Sequence, residues 1–192
     1  MKIIELIIDK DDEQGGIDAV SVVHSPAIEE NFIAMSKHEV ELKEVDTEKK
    51  ILMGAALIPN KHIYRKNDKN EEYYIYFSEN TVRKASELFL INSNQNNATY
   101  EHNEKLQGLS VVESWIIDDS KSDKSRLYGF DLPKGTWMIS MKVNNEKVWN
   151  DVKEGKVKGF SIEGYFADKY EMSLEEMEAT EVVNELKKLL GL

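Results

Sequence analysis

The run Ile51–Ile58 is apolar from end to end and stops at Pro59-Asn60, a turn signal. A short run of this kind, with no polar alternation, predicts a strand buried on both faces. Most of the chain repeats the theme of short strands. Lys2–Asp9, Ile17–Val23, Tyr73–Phe77, Leu109–Asp118 and Gly135–Val143 all read as strands, the last with Trp137, Ile139 and Met141 on one face. His62–Arg65 adds a shorter one before a polar hairpin tip, Asn67–Glu72. Two helical patterns interrupt them. Ser78 reads as an N-cap followed by Val82, Ala85, Leu88 and Phe89 at helical spacing. A second helix starts at Asn144 or Asn145, carries Val148 and Val152 on a stripe with Trp149 beside it, and is closed by Gly155. The tail opens on a capping box, Ser173-Leu174-Glu175-Glu176, and an amphipathic stripe from Leu174 to Leu189.

These elements predict an α+β chain, mainly antiparallel β. Many short strands need their edges covered, so the expected architecture is a closed or partly open β-barrel with helices around it. The barrel unit spans residues 1–170, and residues 171–192 form a C-terminal amphipathic helix.

Composition narrows the function classes. The chain has 192 residues and a formal net charge of −11. That charge argues against a duplex nucleic-acid binder, which needs a cationic face, and permits a basic protein partner. No apolar run approaches the ~20 residues that cross a bilayer, so no membrane role is expected. The N-terminus alternates and carries charge, unlike a signal peptide. The absence of cysteine excludes disulfides and thiolate zinc sites and suits a reducing cytoplasm.

The chemistry concentrates at Lys158–Phe166. Alternation there places Phe160, Ile162 and Gly164 on one strand face and Ser161, Glu163 and Tyr165 on the other. Ser161, with glycines nearby that let a substrate backbone come close, is the candidate nucleophile. It needs a base, and the chain has four histidines. His102, in the polar-aromatic segment Thr99–Asn103, is the candidate. His24 reads as a turn cap before Ser25-Pro26, while His38 and His62 lie among charged neighbours and read as surface residues. A strand serine and a loop histidine are ordinarily structural, so composition and spacing alone carry this pair only a short way. Asp118, Asp119 and Asp123 lack the glycine and terminal glutamate of a calcium loop, and no histidine pair has metal-ligand spacing. No metal and no cofactor are expected.

Several motifs together change the reading. Asp18–Ile28, Ala56–Pro59 with Ile63–Arg65, His102, Val112–Asp118, Pro133–Met138 and Gly159–Gly164 resemble the XkdF-like family of phage prohead serine proteases. The resemblance runs from about Ile17 to Phe166. More distantly, such prohead proteases are similar to the herpesvirus capsid-maturation protease. The resemblance implies a barrel core, cleavage of scaffold and capsid-protein segments inside an assembling prohead in the host bacterial cytoplasm, and a homodimer. It maps the nucleophile onto Ser161 and the base onto His102.

The third member of the triad is open. In other prohead proteases a Glu-Val-Ser-Leu-Val strand, with Pro-Ala two residues on, follows the nucleophile. The similar stretch here, Ala19–Val23 with Pro26-Ala27, lies at the N-terminus, so the order is circularly permuted and alanine stands at the glutamate position. Glu113 ranks first as the acid, then Asp18, then Glu163. The alternative to a peptidase is a non-catalytic virion scaffold module that keeps the protease fold.

Overall fold

A computed structural model describes residues 2–8, 15–28, 33–34, 49–67 and 69–169. Strands β1 (Lys2–Ile7), β2 (Gly16–Val23), β3 (Ile33–Ala34), β4 (Ile51–Leu57), β5 (Ile63–Lys66) and β6 (Glu72–Phe77) precede helix α1 (Glu79–Ile91). Then come β7 (Ala98–Tyr100), β8 (Glu104–Leu106), β9 (Leu109–Ile116) and β10 (Trp137–Val143). Helix α2 (Glu146–Lys153) leads into β11 (Gly159–Tyr165) and β12 (Ala167–Asp168). The expected C-terminal helix over 171–192 lies outside the described residues, as do His38 and most of the charged stretch that follows it.

The strands form three four-stranded sheets, ordered β12-β1-β6-β5, β3-β4-β10-β9 and β11-β2-β7-β8. Pairing is mainly antiparallel, with β1 parallel to β6 and β2 parallel to β7. The expected closed barrel is not found among the described residues. The two parallel pairs send the chain across between sheets instead of closing one sheet on itself. The sheets pack beside one another, as where β11 lies against β4.

The core follows the sequence pattern closely. All of β4 beyond Ile51 is buried, as an uninterrupted apolar strand requires. Ser78 is the N-cap of α1, in extended conformation, with its hydroxyl 3.0 Å from Thr81 Oγ1. Val82, Ala85 and Phe89 form the buried stripe of that helix, and the Phe89 ring meets Trp137 edge-on at 5.4 Å. In α2, Asn145 Oδ1 accepts the Val148 N–H at 3.1 Å, which satisfies one of the unpaired donors of the first turn. Residues of all three sheets and both helices enter one continuous apolar cluster.

Candidate active site

Two strands that the sequence did not reveal position the histidine. β7 and β8 are three residues each and are joined by Glu101-His102-Asn103, with a tight turn centred on Glu101-His102. Both residues have positive φ, 49° and 60°, and the Asn103 N–H closes onto Tyr100 O at 3.0 Å. This is a type I′ turn, whose mirror-image geometry matches strand twist but ordinarily selects asparagine and glycine. Neither residue here has that freedom, so the neighbours must hold the turn. The Glu101 N–H donates to Val22 O at 3.2 Å, and the Glu101 carboxylate accepts the His24 N–H at 2.6 Å. The His102 N–H donates to Ser21 Oγ at 3.0 Å, and Ser21 Oγ in turn donates to Thr99 O at 3.3 Å. Ser21 is fully buried in β2, between the turn and the nucleophile strand.

The register across this sheet places Ser161 of β11 opposite Ser21 of β2, and Ser21 opposite Thr99 of β7. Ser161 thus lies one strand, about 4.8 Å, from the residue whose hydroxyl holds the His102 backbone. Glu163 shares the Ser161 face and lies opposite Ala19. A methyl group at Ala19 leaves room for the glutamate to cross β2. Its Oε1 lies 3.1 Å from His102 Nδ1 and also accepts the Thr99 hydroxyl. If Nδ1–H donates to that carboxylate, Nε2 is left as an acceptor, the tautomer a general base requires. Both side chains of the pair remain partly open to solvent. No hydrogen bond joins Ser161 to the imidazole in this structure.

The structure does not bring the other two candidate acids to the ring. Glu113 is on β9, in a different sheet, where its carboxylate accepts from Ser140 Oγ at 2.6 Å and Lys124 Nζ at 3.0 Å. Those two contacts hold it below the ordinary carboxylate range, the Ser140 bond most of all. Asp18 is exposed on β2, with its carbonyl bonded to Asn97 Nδ2. Of the remaining histidines, His24 closes the end of β2 with Nδ1 3.1 Å from Lys156 O, and His62 is exposed beside Tyr74 and Tyr76. The acidic turn is engaged by the chain's own donors: Asp119 by Lys121 N–H and Ser122, Asp123 by Trp115 Nε1 and Ser125 N–H.

β11 is the outer strand of its sheet. A groove of about 230 Å³ runs beside it, lined among others by Ser161, Ile162 and Gly164 of β11, Leu57 of β4, and Ile63 and Arg65 of β5. Phe160 is buried under the strand, so Ser161 is held on a fixed support. A register shift, the mark of a bulge, lies between Glu163 and Gly164.

The sequence reading did not single out Ser21 or Thr99. The available signal for Ser21 was a hydroxyl inside an otherwise apolar strand, Ala19–Val23. Thr99 gave none beyond its closeness to His102.

A serine on an outer strand, an imidazole on a turn two strands away and a carboxylate on that imidazole form the outline of a hydrolase site. The family model described as "Putative phage serine protease XkdF" matches residues 38–171. The chain belongs to the XkdF family. Both His102 and Ser161 lie inside the matched region, with Glu113 and Glu163, whereas β2 precedes it. No curated protein matches the chain, and no solved structure does.

Proposed function

We propose that this XkdF-family chain is a serine endopeptidase that cleaves scaffold and capsid-protein segments during prohead maturation. Ser161 is the nucleophile, His102 the general base and Glu163 the residue that orients the base. The observation that carries the reading is the 3.1 Å contact between His102 Nδ1 and Glu163 Oε1, on the same strand and face as Ser161.

The reaction is acyl transfer. Ser161 Oγ attacks the scissile carbonyl while His102 Nε2 takes its proton. Glu163 stabilises the imidazolium that forms. The imidazolium then protonates the leaving amine as the C–N bond breaks, and water, deprotonated by the same ring, releases the acyl-enzyme. The resting serine has no bond to the ring, a common state in free enzymes whose catalytic contacts tighten on substrate. An extended peptide would pair with the edge of β11 that carries no described strand, beside the hydroxyl.

The register of β2 supports Glu163 as the acid. Ala19 occupies the glutamate position of the Glu-Val-Ser-Leu-Val pattern, and Glu163 is its direct partner across the ladder. The carboxylate is therefore supplied from the neighbouring strand. β2 lies antiparallel beside the nucleophile strand. The distant relation to the herpesvirus enzyme, the homodimer and the location inside a prohead in the host cytoplasm belong to the same proposal and rest on the sequence resemblance.

The test is cleavage of a co-expressed scaffold protein. Ser161→Ala is expected to fold and to lose cleavage. Glu163→Gln is expected to lower kcat by about 10²–10⁴-fold with little change in KM. Unchanged cleavage by Ser161→Ala removes Ser161 from the mechanism, and a wild-type protein with no cleavage favours the scaffold-module alternative.

A further inference from the structure

We propose that Arg65 reads a carboxylate side chain on the peptide laid along β11, so that this groove selects extended segments carrying one acidic residue among apolar ones. It rests on the peptidase reading above and names the substrate class of that site.

Among the described residues that line it, the groove is apolar except at two places. Its lining side chains are aliphatic or aromatic apart from Ser161 and Arg65. A lone cation in such a wall is costly unless it is matched, because burial removes water from the guanidinium. Here desolvation lowers the Arg65 pKa, although arginine remains charged throughout the working pH range. Its one hydrogen bond among the described residues is from Nη1 to the carbonyl of its neighbour Tyr64 at 3.0 Å, and it makes no ion pair among them.

Two acidic side chains of the same hairpin are engaged elsewhere. Glu72 accepts from the Tyr64 hydroxyl at 2.9 Å, and Glu71 from Asn67 Nδ2 at 2.7 Å. The guanidinium fork therefore keeps donors for an incoming group, and a planar carboxylate is the group that fits a fork. The protein carries a formal net charge of −11, so an acidic peptide is not drawn in by the whole molecule. Recognition of its carboxylate falls to Arg65, the one cation among the described residues of the groove. A strand added to β11 presents alternate side chains to the groove, which lets apolar residues fill the wall while one carboxylate reaches Arg65.

The probe is a set of fluorescein-labelled ten-residue peptides of alternating apolar residues, with one glutamate, glutamine or lysine moved through the positions. Each is titrated by anisotropy into the full-length Ser161→Ala protein, where binding is read without turnover. Glutamate peptides at the matching position are expected to bind about tenfold more tightly than their glutamine counterparts. Arg65→Gln in the same background is expected to abolish the difference, and Arg65→Glu to transfer the preference to lysine peptides. Arg65→Lys, which keeps the charge and loses the fork, guards against a folding defect and is expected to retain part of the preference.

Equal binding of glutamate and glutamine peptides overturns the proposal. So does a preference that survives in Arg65→Gln, or the absence of binding by every peptide. Cleavage of the same peptides by the wild-type protein is read separately. Cleavage without acidic preference overturns the Arg65 role and leaves the peptidase standing. Acidic preference in binding with no cleavage does the reverse.

Discussion

His102 sits in the left-handed region of backbone space, at φ 60°, next to Glu101 at 49°. Left-handed backbone costs a residue with a Cβ about 1–2 kcal/mol, and such cost tends to be kept where a side chain has work to do. Glycine at this position would relieve it. His102→Gly is therefore expected to melt no lower than the wild-type protein, and up to about 1 kcal/mol more stable by denaturant titration, while losing all cleavage. A large drop in stability would show that the imidazole is needed for the fold itself. Glu113 offers a contrasting case, a carboxylate with a structural role. Its folded pKa is depressed below 4.5 by Ser140 and Lys124. The stability from those bonds is fully present above the unfolded value and is lost as pH falls through the lower folded one. Glu113→Gln should flatten the decline in melting temperature as pH falls below the ordinary carboxylate range, and should leave cleavage near wild-type rates.

The elements that matter most for the site are the β7–β8 hairpin and β11. The hairpin is fixed less by its own strands than by β2, through Ser21, Val22 and His24. β11 is fixed by a close backbone approach at its far end. A Cβ on Gly164 would lie 1.9 Å from Gly16 O, which no rotamer change can relieve. Gly164→Ala must push β11 away from β2 at the bulge beside Glu163. It is expected to cost about 1–3 kcal/mol in denaturant titration and also to lower kcat, because the carboxylate moves with the strand. Stability loss with unchanged kcat would mean that the bulge has no part in aiming Glu163.

Across the molecule, three sheets share one apolar core, and the site is built where the edge of one sheet faces the others. Phe89 on α1 and Trp137 on β10 are both fully buried and in ring contact. Phe89→Ala is expected to cost about 3–5 kcal/mol, a large share of the ~5–15 kcal/mol that holds a typical domain. The loss should appear as a single transition moved to lower temperature, with near- and far-ultraviolet circular dichroism coincident. Separate transitions would mean that the sheets melt as independent units.

Strong local patterns were legible in the amino-acid order. The apolar run of β4, the capped stripe of α1, the Asn145 cap of α2 and the face alternation of β11 all follow from periodicity and end signals, which are properties of neighbouring residues. The hairpin that carries His102 was not legible, because three-residue strands have no measurable period and Glu-His is not the usual filling of a type I′ turn. Glu163 was visible as a residue on the Ser161 face, yet its place beside the imidazole could not be ranked above Glu113. That ranking depends on which carboxylates find other partners, and on a small residue at Ala19 letting one side chain cross a strand. The chain by itself determined the elements and the candidate hydroxyl and imidazole. Only the tertiary structure decided which acid meets the ring, since that contact joins residues 61 positions apart through the registers of β11, β2 and β7.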